Sequence, residues 1–214
     1  MIKIGEEKKE YLYVYGIINH KNTQFKFKGL KNKPLQKINF QDIAVLTSSY
    51  PNLRPVLKEE EAMQHAEILK KIAQKTTIIP MSFGAVFKNQ EILEVVLSKS
   101  YPVIKKTLEL IKDKIELGVK VVKKPLEENK LEDQPDERVK EILEALNKLS
   151  EESKEGDKFS ERLLLNYSFL VEKKKFSQFS NKIGKLENKH QNLKFIYTGP
   201  WPPYSFVNIN IKGS

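Results

Sequence analysis

"RLLLNYSFLV", residues 162–171, is the strongest strand signal in the chain. Its apolar side chains occupy both faces of a strand, which predicts a central position in a sheet. On both sides of it the sequence changes between strand and helix patterns. We therefore expect a sheet with this stretch in its middle and helices on one face.

The segments before this strand supply one strand and one helix. "ELGVKVVKK", residues 116–124, predicts a strand. Pro135 opens a helix with an apolar stripe at spacings of three and four, because proline is well tolerated at a first helical position. The polar runs 125–137 and 150–161 are typical of connectors.

The segments after the strand predict one helix and two closing strands. Phe179 and Ile183 mark the inward face of the helix. "LKFIYTG", residues 193–199, and "YSFVNINI", residues 204–211, predict the closing strands. Together with the upstream elements they give a β-α-β-α-β-β order.

The first half of the chain has the same mixed character. Five strand patterns occur, at 11–18, 25–30, 36–40, 43–48 and 76–83. Pro80 lies in the last of them and predicts an edge position or a strand end. Residues 59–75 predict a helix, and two more helices are expected at 90–97 and from Ser100 and Pro102 onward.

These patterns predict an α+β protein with two small domains. We expect a flexible tail at 1–10, an N-terminal α+β domain at 11–115 and a C-terminal α+β domain with a second mixed sheet and helices at 116–214. Strands joined by hairpins and few crossovers argue against a doubly wound parallel sheet.

Composition narrows the function. The chain has 214 residues, a net charge of +10 and no cysteine. Of its 38 basic residues, three are arginine, so the charge is mostly that of hydrated lysines rather than of the guanidinium forks that bind phosphates. We interpret most of this charge as a solvated surface. No apolar run reaches the length needed to span a bilayer, and we expect a cytoplasmic protein.

The sequence lacks the common signatures of catalysis. Glycine-rich phosphate loops, a nucleophile elbow and a histidine pair with metal-ligand spacing are all absent. His65 lies in phase with Ala62 and Leu69 and is interpreted as a helix-face residue at the boundary of the core. We predict no enzyme activity, no cofactor, no metal and no small-molecule substrate.

Two segments combine proline, glycine and aromatic residues beyond the needs of regular packing: "TTIIPMSFGAVF", residues 76–87, and "YTGPWPPYSF", residues 197–206. The candidate residues are Pro80, Phe83, Gly84, Gly199, Pro200, Trp201, Pro202, Pro203 and Tyr204. Prolines preorder the chain, and tryptophan and tyrosine are frequent interface anchors. These segments are either structural corners, with Trp201 closing the second core, or partner contacts, or both.

Four stretches resemble the gas vesicle protein F/L family (GvpF/GvpL). They are "YLYVYGI" near the start, "HAEILKKIAQKTTIIPMSFGAVF" at 65–87, "ELGVKVV" at 116–122 and "YTGPWPPYSFV" at 197–207. They occur in the order of the family and together span nearly the whole chain. The last stretch is the most specific of the four.

The resemblance implies an accessory or minor structural protein of gas vesicles, which are hollow protein shells built mainly from a small hydrophobic protein. It implies two α+β domains, the N-terminal one ferredoxin-like. It also implies a role in vesicle assembly through contacts with the shell protein (GvpA type) and with other accessory proteins. No catalytic residue is implied.

Two alternatives come from the residues alone. A nucleic-acid-binding α+β module would use the basic surface, with Tyr11, Tyr13 and Tyr15 as stacking residues on one strand; the motif of RNA-recognition domains is missing. A binder of anionic membranes would use the lysine-rich helix at 173–189. Neither nucleic acid nor membrane is favoured as a partner.

Overall fold

The structure is a computed structural model that describes residues 10–20, 24–56, 58–124 and 135–209. These residues divide into two units: the described residues up to Lys112 together with 207–209, and Asp113–Phe206. The predicted tail lies outside the described residues except for Glu10. The domain limits drawn from the sequence stay a prediction.

The first unit contains an antiparallel sheet built around the first strand of the chain. Its strands are β1 (Tyr11–Asn19), β2 (Gln36–Phe40), β3 (Ile43–Tyr50), β4 (Ile78–Pro80) and β5 (Val86–Phe87). The order is β2-β3-β1-β4, and β5 also pairs with β1. β4 therefore lies at the edge, which is the position that Pro80 predicts.

Two helices enclose the first sheet: α1 (Glu59–Lys75) and α2 (Gln90–Leu110). Ile68, Leu69 and Ile72 of α1 join one core with Tyr13 and Tyr15 of β1. β1 and β3 are buried along nearly their whole length, so both faces of this sheet are covered. α2 supplies a second buried face and contacts β1, β4 and β5.

Two expectations for the first unit were wrong. The two helices predicted at 90–97 and from Ser100 are one continuous helix, α2, with Pro102 inside it. Pro102 is exposed, so the disturbance that it causes faces solvent while both halves of α2 pack on the sheet. The strand predicted at 25–30 is absent: Lys28 forms a single bridge with Pro34, and Leu30–Asn32 is a 3₁₀ turn.

The second unit contains a four-stranded antiparallel sheet. Its strands are β6 (Lys114–Lys123), β7 (Glu152–Glu155), β8 (Leu163–Glu172) and β9 (Leu193–Trp201), in the order β7-β8-β6-β9. β8 is the "RLLLNYSFLV" strand and occupies the predicted inner position. β7 lies within the polar run that we expected to be a connector.

Two helices cover one face of this sheet: α3 (Pro135–Asn147) and α4 (Phe176–Lys189). Ile142 of α3 and Phe179 and Ile183 of α4 share one core with alternate residues of β6, among them Leu117 and Val119. Because side chains alternate along a strand, Glu116 and Gly118 belong to the opposite face.

The predicted final strand at 204–211 is wrong in its described part. Tyr204–Phe206 forms a 3₁₀ turn, and residues 207–209 form no strand. Residues 210 and 211 lie outside the described residues. The α+β class is confirmed by the two sheets and their helices.

The second unit has the complete β-α-β-β-α-β order of a ferredoxin-like fold. The first unit has the same strand order and a helix between β3 and β4. In the described part of its β1–β2 connection, it has a 3₁₀ turn where a helix would stand in that fold.

Candidate functional site

The N-terminal candidate segment runs along β1. Pro80 pairs with Gly16 at the sheet edge, and the Met81 amide donates a hydrogen bond to the Tyr15 carbonyl. A side chain at position 16 would place its Cβ 2.4 Å from the Ile79 carbonyl oxygen, so the absence of one permits this close pairing. Pro80 is buried.

His65 ties this segment to the core. Its side chain is 2% exposed, and its Nε2 lies 3.0 Å from the Met81 carbonyl oxygen. Because a carbonyl only accepts, Nε2 carries the proton and Nδ1 accepts from the Tyr13 hydroxyl at 2.8 Å. Burial lowers the pKa of His65, so the neutral ring is the stable form.

Gly84 and Phe83 complete this corner. Gly84 has a φ of 90°, a conformation that favours glycine, and its amide donates to the Tyr13 hydroxyl at 3.2 Å. The half-buried Phe83 ring lies edge-on to His65, with 5.8 Å between the ring centroids. The side chains of this segment therefore point mainly into the first core, as in a structural corner.

The C-terminal candidate segment begins with a close approach of two backbones. Gly199 has a φ of 116°, and a Cβ there would lie 2.8 Å from the Glu116 carbonyl oxygen. The peptide bond between Gly199 and Pro200 is cis. Opposite, a Cβ at Gly118 would lie 2.6 Å from the Thr198 hydroxyl oxygen, so a side chain there would force Thr198 to turn, whereas the backbone contact and positive φ at position 199 require glycine.

Glu116 fixes the turn that follows. This carboxylate is 7% exposed and accepts three hydrogen bonds: from the Ser168 hydroxyl at 2.8 Å, and from the Ser205 hydroxyl at 2.6 Å and amide at 2.8 Å. Hydrogen bonds to a charged acceptor are stronger than neutral ones. Lys154 of β7 also donates to the Ser205 carbonyl and lies over the Phe206 ring.

The turn buries some of its residues and exposes others. Pro202, Pro203 and Phe206 are buried, whereas Trp201 and Tyr204 are each 38% exposed. Trp201 is therefore not enclosed by its own unit. We call residues 199–206, with these two partly exposed rings, the tryptophan loop.

Tyr204 retains its proton over a wide pH range. Burial raises the pKa of its phenol to about 12, and the nearby Glu116 carboxylate adds to the shift. The phenol thus stays neutral, although part of the ring is accessible. A neutral aromatic ring is suited to contact an apolar surface.

The sequence prediction missed the residues that hold both corners. Glu116, Ser168 and Ser205 were not among the candidates, and Tyr13 was considered only as a residue that could stack on nucleic-acid bases. One signal was available: Glu116 stands between Ile115 and Leu117 in an otherwise apolar strand, where a carboxylate needs a specific partner. Glu116 and Ser205 are far apart along the chain, so their contact could not be predicted from the local sequence pattern.

Residues on which the nucleic-acid and membrane hypotheses depend are buried in the structure. Tyr13 and Tyr15 are fully buried in the first core and are not available to stack on bases. Phe179 and Ile183 of α4 are buried in the second core, so this helix offers no apolar face to a bilayer.

Further absences hold for the described residues. No helix among them is long and apolar enough to span a bilayer. They contain no group of three or more histidine, aspartate and glutamate side chains arranged to hold a metal ion.

The fold and the site define a two-unit antiparallel α+β protein with a pair of partly exposed aromatic rings on a loop anchored by hydrogen bonds. Its sequence matches the profile described as "Gas vesicle synthesis protein GvpL/GvpF" over residues 11–137 and 126–208. The chain belongs to this family, which places it in the gas vesicle system.

Several relatives support the assignment. The chain is 31% identical to gas vesicle protein F1 of Halobacterium salinarum, over 94% of this chain and 95% of that protein. It is 29% identical to gas vesicle protein F of Haloferax mediterranei, over 94% of each chain. These relatives are named as gas vesicle proteins and not as enzymes.

Solved structures share the fold. The crystal structure of GvpF from Anabaena sp. PCC7120 superposes with a TM-score of 0.80 at 18% identity, covering 96% of this chain and 99% of that chain. GvpF from Microcystis aeruginosa gives a TM-score of 0.79 at 18% identity, covering 92% and 98%.

Proposed function

We propose that this protein acts in gas vesicle assembly by holding the hydrophobic shell protein (GvpA type) through the tryptophan loop. In this role it nucleates the shell or keeps shell subunits from aggregating, together with other accessory proteins, in the cytoplasm and at the vesicle. The observation that carries the proposal is the exposure of Trp201 and Tyr204 on a loop that Glu116 holds rigid.

Rigidity favours this use of the loop. A segment that is already ordered loses little conformational entropy on binding, so more of the contact energy becomes affinity. The exposed 38% of Trp201 corresponds to about 90 Å² of a large aromatic side chain, and burying it contributes about 2 kcal/mol. Tyr204 adds a similar amount.

The strand that leads into the loop offers a second contact. β9 is an edge strand that pairs with β6 on one side, and Ile196 in its middle is 39% exposed. An edge strand next to aromatic anchors is suited to a partner that presents an apolar strand. The other edge considered, β4, is a weaker candidate because all three of its residues are buried.

The first test is a binding experiment on the loop. Trp201→Ala and Tyr204→Ala should each weaken capture of purified shell protein about thirtyfold, the equivalent of about 2 kcal/mol. Phe159→Ala is the matched control, because Phe159 is an exposed aromatic residue of the same unit outside the loop. Circular dichroism checks that each variant is folded. Unchanged capture by the double variant would refute the role of the loop.

The second test is genetic. Deletion of the gene should abolish or reduce vesicles seen by electron microscopy, and the double variant should fail to restore them. Immunodetection in purified vesicles then distinguishes a resident protein from an assembly factor that leaves. Normal vesicles after deletion would contradict the assembly role.

A further inference from the structure

A groove of about 820 Å³ runs between α3 and α4 of the second unit. Both helices face it with residues repeated at spacings of three and four, which is one stripe on each helix. From α3 and the turn after it come Glu141, Glu144, Ala145, Lys148 and Leu149. The stripe on the other side begins at Lys174, in the 3₁₀ turn that precedes α4, and extends along α4 to Lys185.

The dimensions of the groove suit one α-helix. The α4 part of the stripe, from Ser177 to Lys185, is about 12 Å long at the rise of an α-helix, which is slightly more than two turns, and Lys174 extends it. The length of the groove therefore suits an α-helix of two to three turns lying along it. The small side chain of Ala145 lets a helix approach, and Leu149 offers it an apolar contact.

The charge of the groove is positive. Four lysines and two glutamates line it, but Glu141 already pairs with Lys189, and Lys174 lies 2.6 Å from Glu172. Among the described residues, no ion pair within 4.0 Å involves the other three lysines, which are Lys148, Lys182 and Lys185. Glu144 opposes them, which leaves a net charge of about +2 for an acidic ligand to complement.

We propose that this groove binds an acidic amphipathic α-helix of a partner protein. The lysines are spread along the groove, whereas a small anion needs donors that converge on one point. A nucleic-acid backbone has no apolar side chains to place against Ala145 and Leu149, whereas an amphipathic helix does. A bilayer surface does not fit a concave groove between two helices whose apolar faces are buried in the core.

The test uses a synthetic peptide as the probe. A fluorescent peptide of about 18 residues, with leucine at helical spacings and glutamate elsewhere, should bind with measurable anisotropy change, and a scrambled peptide of equal composition should bind less. Binding should weaken as salt rises from about 50 to 300 mM, because exposed charges are screened. Absence of saturable binding, or equal binding of the scrambled peptide, would overturn the proposal.

Three substitutions locate the site. Changing Lys148, Lys182 and Lys185 to glutamate should weaken peptide binding at least about tenfold. The control changes three exposed lysines of the first unit to glutamate, Lys71, Lys88 and Lys99, which alters the net charge equally and should have an effect of less than about threefold. Equal losses in both variants would show a non-specific attraction and overturn the proposal.

Two further measurements test whether the shape of the groove matters for binding and whether its ligand is a helix or a lipid surface. Ala145→Phe should prevent peptide binding by filling the groove, without changing its charge. If circular dichroism shows that this variant is unfolded, the test rests on the lysine variants. Vesicles of phosphatidylglycerol and phosphatidylcholine are the other probe. Vesicle binding that the three groove substitutions abolish, without peptide binding, would assign the groove to lipid and refute the helix.

This inference does not depend on the shell contact. The three groove substitutions should leave shell-protein capture unchanged, and the Trp201 and Tyr204 substitutions should leave peptide binding unchanged. Each proposal can therefore fail alone.

Discussion

Replacing Glu116 by alanine should release the tryptophan loop and destabilise the second unit. The carboxylate is almost completely buried and accepts three hydrogen bonds, two of them from Ser205. Alanine removes all three and leaves the Ser205 amide without its acceptor. We expect the loop to become mobile before the unit unfolds, because Ser205 is held to the sheet mainly at this point.

The magnitude follows from the three hydrogen bonds. Each contributes at least about 1 kcal/mol net, so Glu116→Ala should lower the free energy of unfolding by at least about 3 kcal/mol. Glu116→Gln keeps the shape and part of the bonding but loses the charge, so its cost should be about 1 kcal/mol. With a urea m-value of about 1.5 kcal/mol per molar, the unfolding midpoint of the alanine variant should lie at least about 2 M lower in urea.

The single tryptophan of the chain makes the assay specific, because it lies in the loop itself. Trp201 fluorescence during urea unfolding reports the second unit. Acrylamide quenching of the native protein reports the loop and should increase in Glu116→Ala. Glu161→Ala is the control, since Glu161 is an exposed carboxylate of the same unit and should change stability by less than about 0.5 kcal/mol.

A double-mutant cycle separates the anchor from general damage to the sheet. Ser205 donates to Glu116 through its hydroxyl and its amide, and Ser205→Ala removes the hydroxyl. The destabilisation by Ser205→Ala should therefore largely disappear when Glu116 is already alanine. Additive effects in the cycle, or an unchanged unfolding midpoint with unchanged quenching in Glu116→Ala, would refute the reasoning.

The remaining predictions concern other positions. Burial lowers the folded-state pKa of His65 below its unfolded value of about 6.5, so the unfolded chain takes up the proton first and the free energy of unfolding falls as the pH drops below about 6.5. His65→Gln should flatten this loss for the first unit in urea titrations followed by near-ultraviolet circular dichroism; an unchanged slope would contradict it. Gly199→Ala should destabilise the second unit by at least about 1 kcal/mol, because its φ is positive and its Cβ would press on the Glu116 carbonyl. Gly184→Ala should raise stability by about 0.5–1 kcal/mol, because the added Cβ meets nothing within 4 Å and alanine favours the helix; a loss of stability would show that α4 needs this glycine.

Regular periodicity carried most of the fold prediction. The strand at 162–171 is β8 and is inner in its sheet, and the inward residues of α4, Phe179 and Ile183, are in the core. In these elements the local pattern and the tertiary packing agree, so the sequence pattern predicts which residues are buried. The charged strand β7 was not predicted, because an edge strand can form without alternating apolar residues.

The failures arose where distant contacts override local preference. Pro102 and Ser100 predict a helix start, yet burial on both sides of them holds α2 together as one helix. Residues 204–206 alternate as a strand would, but the Ser205 amide bonds to the Glu116 carboxylate instead of to a neighbouring strand. The candidate segments were visible from composition, whereas their anchors are set by contacts between residues far apart in the chain.

The sheet of the second unit separates two surfaces of opposite character. An apolar shell subunit and an acidic helix require different surroundings, since lysines close to an apolar contact would lose their hydration when it forms. Leu117 points to the helices that form the groove, and its neighbour Glu116 points to the other face and anchors the loop. One strand thus supports both surfaces through alternate side chains. Substitutions on either surface should therefore act independently, and a variant that lost both activities at once would have damaged β6 itself.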